Sequence, residues 1–560
     1  MKKYLFIALA ALGFAACADK NEANGPVQNA EMEESYIAIN LMAADNDTRA
    51  ATDSYGYEDG TDAERLIKTA YFFFFDAEGN PFNVTTSAPG GEKNHLSLTI
   101  GDTTGEVDPN VSDIKEAVLI LNTYKGVYPS QIVAVLNWTP TESTYTLDAL
   151  HNVVENSLGN DNKGYVMSNS VYMDSAGKMV DAVPLTAANI KTTEAEAIAA
   201  PVNIYVERTA AKVVLTANGK VTGTENIFDT QKNSSAIGTL TGLDDVDVYV
   251  KLNGWELYND YQTTNLLKNI DTTWDVATLG LTWNDIPFFR CYWADSQETT
   301  LNDSFSWSYN SGFPTAYGFA VGSATYCGEN TNQVNGDSDP RTKVILKGQL
   351  MQKNGDNYEQ LELARWYGTE YAGNDALRTA VANSLKYTLY YQDPSNINNY
   401  ISIGPDDLQC VEGATDTTDN VKAYEVYFQL STDGEDKIWY QYSSAGGYQV
   451  LDSINSAANK SATNTYLKGV EPALLYANGM TYYIVDIEHL GTAAAKYGVV
   501  RNHVYQIDIN SISGYGSPVY SGDIGYIKPE YPTEDEASYV AARINVLSWK
   551  VVKQSVNITQ

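Results

Sequence analysis

"VNIYVERTAAKVVLTANG", residues 202–219, alternates apolar and polar side chains over much of its length and closes on an Asn218–Gly219 turn. A repeat of two marks a β-strand with one buried face, because successive side chains leave a sheet on opposite sides. The same signature recurs on either side. "ESYIAINLMAAD" sets Ile37, Ile39 and Leu41 against Ala38 and Asn40. "TAYFFFFDAEGNP" gives a strand from Tyr71 to Phe75, apolar on both faces, followed by a turn at Gly79, Asn80 and Pro81. "PSQIVAVLNW" gives another, from Ile132 to Leu136. Further along, "DVDVYVKLNGWELYND" alternates through Val246, Val248 and Val250, and "RTKVILKGQL", "KAYEVYFQL", "TYYIVDIEHL" and "NHVYQIDINSI" continue the pattern.

Helical periodicity is confined to two short candidates, Leu147–Asn156 and a segment near Ile198. Short strands separated by Asn/Asp/Gly/Ser-rich loops, with no fixed-period repeat, predict an all-β protein of β-sandwich domains with a few short helices. A polar, glycine-containing interval up to about Gly242 suggests a boundary between an amino-terminal domain over 50–225 and a carboxy-terminal domain over 226–560.

The 560 residues, 43% hydrophobic, suffice for two or three domains with real cores. Thirty-six basic side chains stand against 70 acidic ones, a formal charge of −34. Such a field repels phosphate backbones and anionic lipid surfaces, so no nucleic-acid partner is expected. Forty-one tyrosines fit a β-rich, extracytoplasmic protein.

The chain begins "MKKYLFIALAALGFAAC": two lysines, a thirteen-residue apolar run from Tyr4 to Ala16, then Cys17. This reads as an export signal over residues 1–17, and the run is too short to span a bilayer, which needs about 20 apolar residues as a helix. The small residues before Cys17 resemble a lipoprotein signal, in which that cysteine is acylated. Cys291, Cys327 and Cys410 then remain, enough for one disulfide at most, with buried unpaired thiols the favoured state.

Between the strand at 34–41 and resumed order near Glu64 lies "DNDTRAATDSYG", residues 45–56. From Ala18 to Glu64 the only cations are Lys20 and Arg49, among twelve carboxylates. A lone arginine in a solvated acidic linker is either a surface charge or a protease site. At the other end, "ARINVLSWKVVKQSVNITQ" carries Ile544, Val546, Leu547, Trp549, Val551, Val552, Val556 and Ile558. Its parity changes between Val546 and Leu547 and again between Val551 and Val552. A bulge or crossover at each break, or burial on both faces, would resolve this. Left exposed, such a segment would aggregate, so a groove for it is expected.

Catalytic chemistry has little to stand on. His95, His151, His489 and His503 are scattered, and there is no His-Glu-x-x-His helix, Gly-x-Ser-x-Gly elbow or phosphate loop. No catalytic residues, metal site or cofactor are expected. The acidic loops with Asp244, Asp245 and Asp247, and with Asp337 and Asp339, do not fit the calcium-binding loop of helical hands and read as solvated turns. "GWELY", "CYWAD", "FSWSY" and "ARWYG" could line a sugar cleft, but read first as core packing.

Taken in order, the signal ending at Cys17, the Arg49–Ala50 junction, "AYFFFFDAEG", "IVAVLNW", "YVERTAAKVVL", "VVRNHVYQIDINSISGYG" and "INVLSWKV" resemble the Bacteroidales fimbrillins, subunits of type V pili, and most closely the Mfa-type major (stalk) subunits. The stretch from about Asn259 to Asn420 matches loosely, and Ser548 stands where relatives often carry proline. The resemblance implies two transthyretin-like β-sandwich domains and an outer-membrane lipoprotein precursor, acylated at Cys17, that ends in an extracellular fimbrium. It implies a propeptide over 18–49, cut by an arginine-specific protease between Arg49 and Ala50, that removes the strand bearing Ile37, Ile39 and Leu41. The vacated groove would take a donor strand from within 543–560 of a neighbour. Implied partners are identical subunits in a head-to-tail filament, anchor and tip pilus subunits, and host or bacterial surface ligands. The alternatives are a surface-anchored glycan-binding lipoprotein and a pilus tip adhesin.

Overall fold

The computed structural model describes residues 32–43, 60–85, 92–99, 114–124, 126–155, 159–160, 163–173, 179–219, 226–233, 247–261, 263–270, 307–308, 324–331, 341–412, 425–489, 497–519, 526–527, 539–547 and 553–555. Cys17, Asp244, Asp245, Cys291, Asp337 and Asp339 lie outside them, as do Arg49, Ala50, Trp549, Val551, Val552, Val556 and Ile558. The fold is all-β: strands in several sheets, with few helices, as the alternation predicts.

The amino-terminal strands are β1 (Met32–Ala43), β2 (Thr69–Phe75), β3 (His95–Thr99), β4 (Ile114–Tyr124), β5 (Gln131–Leu136), β6 (Met167–Asn169) and β7 (Val202–Arg208). They form one sheet in the order β3-β2-β5-β6-β7-β1-β4, with Val183–Pro184 also paired to β5. Both faces of its centre are covered. Phe72, Phe74, Ile132 and Ala134 enter one apolar core, while Phe73, Phe75, Val133 and Val135 enter another with Tyr145 and Leu150. This accounts for the unbroken apolar runs in β2 and β5, since a strand covered on both sides need not alternate.

The expected single strand over 202–219 is two. β7 ends at Arg208, and β8 (Ala210–Ala217) begins after Thr209 in a different sheet. Thr209 is fully buried. Its N–H donates to the Val166 carbonyl at 3.0 Å, and its own carbonyl accepts from Thr264 Oγ1 at 3.3 Å. These side bonds replace ladder bonds, so the chain crosses between sheets with its polar groups satisfied.

The carboxy-terminal strands are β9 (Ile227–Asn233), β10 (Asp247–Tyr258), β11 (Ala324–Gly328), β12 (Lys343–Asn354), β13 (Met480–Asp486), β14 (Val504–Ser513), β15 (Tyr539–Leu547) and β16 (Lys553–Ser555). They pack as a sandwich. One sheet runs β11-β8-β14-β15-β16, the other β9-β10-β12-β13 and then Ser517–Pro518. Val213, Leu215, Ile507 and Ile509 from the first meet Val248, Val250, Leu252 and Leu346 from the second in one core. Cys327 sits fully buried in that core as a free thiol, and Cys410 is free and half-buried, in line with the unpaired state.

Helix α1 spans Leu147–His151, capped by Thr146, and is shorter than predicted because Val154–Glu155 leaves to pair with Thr264–Asn265. Helix α2, Glu194–Ala199, falls where expected. Two longer helices, α3 (Gly373–Leu385) and α4 (Ser456–Lys468), were not expected. They cover two small sheets and the other face of β12 and β13. The inward side of α4 carries Asn459 and Thr463 beside Leu467, which hides its periodicity. Asn459 Nδ2 donates to the Leu451 carbonyl at 2.7 Å, and its Oδ1 accepts from Trp439 N at 2.8 Å.

Candidate assembly site

The strand carrying Ile37, Ile39 and Leu41 is a full member of its sheet. β1 runs antiparallel to β4 from Met32↔Tyr124 to Met42↔Ile114, and parallel to β7 from Ile39↔Val202 to Ala43↔Val206. Ile37 is fully buried and directly opposite Leu119, and both belong to the core that includes Leu121, Ile204 and Val206. Among the described residues, β4 has no strand neighbour other than β1. Its strand pairing therefore comes from a leader segment joined to the body through the stretch that holds Arg49, supplemented by the Asn122 N–H, which donates to the Val84 carbonyl at 3.1 Å. The sequence reading missed β4, although the alternation of Ala117, Leu119 and Leu121 was there to find it.

At the other terminus, Ile544, Val546 and Leu547 lie in β15, which pairs with β14 from Ser513↔Tyr539 to Val504↔Leu547. The break foreseen between Val546 and Leu547 is not a bulge, because Tyr505↔Val546 and Val504↔Leu547 are consecutive pairs. The register shift falls on the partner strand instead, between Ile509 and Ser511. β16 forms the sheet edge and is matched only over Arg543↔Ser555 to Asn545↔Lys553.

A buried ionic joint connects these regions. Glu64, fully buried, receives Lys212 Nζ at 2.8 Å and the Tyr326 hydroxyl, and its carbonyl accepts from Arg208 Nε at 2.9 Å. Burial alone would raise the Glu64 carboxyl, but hydrogen bonds from Lys212 and Tyr326 outweigh it and hold the group below its ordinary value. Arg208 Nη1 also donates to Asn502 Oδ1 at 3.3 Å, and Lys212 N donates to the His503 carbonyl at 2.9 Å. The "VERTAAK" and "RNH" motifs, nearly 300 positions apart, are thus bonded to each other. Asn502 adopts a φ of 56°, a left-handed conformation that asparagine tolerates. Arg501, fully buried, donates through Nε to Glu329 at 3.1 Å and through Nη2 to the Asn265 carbonyl at 2.9 Å. Lys268 and Glu207 form a third buried pair at 2.6 Å.

Of the aromatic groups considered for a sugar cleft, Trp255 is core and Trp366 is buried with Nε1 donating to the Glu471 carbonyl at 2.8 Å. His503 is buried with Nδ1 2.7 Å from the Arg501 carbonyl, which fits a satisfied structural histidine. Among the described residues no three metal-binding side chains cluster.

Residues 474–555, a span that includes β13 through β16, match the family described as "Major fimbrial subunit protein type IV, Fimbrillin, C-terminal". The chain is also similar to a fimbrilin from Porphyromonas gingivalis, at 12% identity over 93% of this chain and 99% of that one, with a TM-score of 0.36. A putative cell adhesion protein from Parabacteroides distasonis gives 12% identity, 94% and 98% coverage and a TM-score of 0.34. The tip fimbrial protein of P. gingivalis, truncated at its C-terminus, gives 10%, 92% and 100%, and 0.31. No curated protein matches the chain. The family match covers about 15% of the sequence and supports the fimbrillin resemblance over that stretch.

Proposed function

We propose that this chain, with a fimbrillin match across residues 474–555, is a stalk subunit of a surface fimbrium and polymerises by β-strand exchange. It is made as a lipoprotein acylated on Cys17, and an arginine-specific protease cuts between Arg49 and Ala50. β1 then leaves, and the lane between β4 and β7 takes a segment from within 543–560 of the next subunit.

One observation supports this reading above all. The leader forms an integral strand between β4 and β7, yet the only covalent link from that strand to the body runs through the acidic, arginine-bearing linker. Burying five or six large apolar side chains at about 1.5–3 kcal/mol each, with ladder bonds at roughly 1 kcal/mol, narrowly exceeds an ordering cost of about 1–2 kcal/mol per residue. A strand held on both sides therefore persists through slow release. Head-to-tail joining makes the interface heterologous and open, which yields a filament. The donor reading needs part of the carboxy-terminal hairpin to come free, and β16, an edge strand with three matched pairs, is its least-held part.

Cleavage removes four basic and seven acidic side chains from totals of 36 and 70, so the shaft stays at −31 and associates better in moderate salt. Mass spectrometry of sheared surface filaments tests the reading: subunits should begin at Ala50. Filaments built from chains that retain residues 32–43 would contradict it.

A further inference from the structure

β1 is held unevenly along its length, and its weakest stretch is also its most polar. From Ile39 to Ala43 it is laddered on both sides, to β7 and to β4. From Met32 to Ala38 its strand partner among the described residues is β4 alone, because β7 begins at Val202 opposite Ile39, while α2, which ends just before β7, also packs against β1. Two hydroxyls in this half have no hydrogen-bond partner. Ser35 Oγ and Thr123 Oγ1 are both buried, with residue exposures of 2% and 3%. Ser35 stands opposite Leu121 and Glu33 opposite Thr123, so the two orphaned hydroxyls share one face, one step apart across the ladder. Their neighbours on that face, Ile37, Leu119 and Leu121, are apolar core.

A buried hydroxyl without a partner loses its hydration and gains nothing in return. The leader is therefore an imperfect occupant of its own lane, and the defect lies at the end where only one ladder holds it. Resting on the strand-exchange reading, we infer that the floor formed by Leu119, Leu121 and Thr123 is the entry point for a partner strand, and that the partner is the terminal segment of a second copy of this chain. Fraying of residues 32–38 opens this half-lane first. The incoming strand pairs with β4 there and advances toward Ile114, displacing the doubly laddered half last. The order follows from the ladder: among the described residues β4 pairs with no strand but β1, and beyond it Asn122 N donates to the Val84 carbonyl at 3.1 Å, so a lane vacated all at once would leave most of β4 without ladder bonds, whereas stepwise replacement keeps part of it paired throughout.

The test uses the full chain, cut after Arg49 in solution and mixed with a second full-length copy, with release of the leader peptide followed by mass. Ser35→Ala removes one orphaned hydroxyl from the entry half and should slow release about tenfold. Leu41→Ala lies in the half displaced last. It should weaken leader binding at equilibrium while leaving the release rate within about twofold, as for a contact still intact at the transition state. Thr123→Val, which removes the other hydroxyl at nearly constant volume, should raise leader affinity without impairing folding. If Leu41→Ala speeds release strongly while Ser35→Ala leaves it unchanged, entry is from the opposite end and the inference is wrong. If the unaltered protein never releases its leader to a second copy, strand exchange itself fails, and this inference with it.

Discussion

Glu64 and Lys212 meet at 2.8 Å with side-chain exposures of 0% and 7%, joining the segment that follows the Arg49 linker to the first strand of the carboxy-terminal sandwich. With Tyr326 and the Arg208 bond to the Glu64 carbonyl, this pair anchors the segment around Glu64 to the carboxy-terminal sandwich. Removing one partner strands the other charge in the interior. Glu64→Gln should cost about 3–5 kcal/mol in denaturant unfolding, whereas Glu64→Leu combined with Lys212→Met should recover most of that loss. The Glu64 carboxyl is held below its ordinary value of 4.5. Its contribution is therefore complete above that pH and is lost as pH falls through the depressed folded value. The acid limb of the stability profile should shrink in Glu64→Gln.

His151 Nε2 lies 2.6 Å from Asp181 Oδ2. Burial pulls the imidazole down, but the hydrogen bond and charge of Asp181 overcome it and raise its value above the ordinary 6.5. For a raised group, the stabilisation is complete below 6.5 and fades as pH climbs through the folded value. NMR titration should place the His151 midpoint above 6.5, and Asp181→Asn should lower it and flatten the loss of stability as pH rises above 6.5.

Arg49→Ala should trap the precursor on the membrane with residues 18–49 attached. Surface fractionation and mass spectrometry would show an acylated, full-length chain and few filaments. Normal polymerisation of that variant would argue against a proteolytic switch.

Deleting Val551 to Gln560 removes β16 and the terminal apolar residues but leaves β15 on β14. The truncated protein should fold and remain monomeric in light scattering. Long polymers from it would count against donation by this end.

The period-two pattern made β1, β2, β5, β10, β12, β13 and β14 legible because each presents a regular apolar face or an unbroken apolar run. What stayed hidden has particular causes. Thr209 lies inside an alternating stretch, and nothing local announces that β7 and β8 join different sheets; the break is made by bonds to Val166 and Thr264 from elsewhere in the chain. Helix α4 buries Asn459 and Thr463, so its inward face does not look apolar. The buried roles of Glu64, Arg208, Lys212 and Arg501 could not be read from an acidic sequence in which charged residues ordinarily stay in water. Ile37, Ile39 and Leu41 were identifiable as a strand by spacing, but that β4 lies beside them, with Leu119 opposite Ile37 and Thr123 opposite Glu33, emerged only from the register of the sheet.

The most direct measurement is a cryo-electron microscopy map of the assembled filament, viewed at the lane between Ile114–Tyr124 and Val202–Arg208. The account predicts that a segment from within residues 543–560 of the adjacent subunit fills that lane, with residues 32–43 gone. An intact filament whose lane still holds residues 32–43 of the same chain would contradict it.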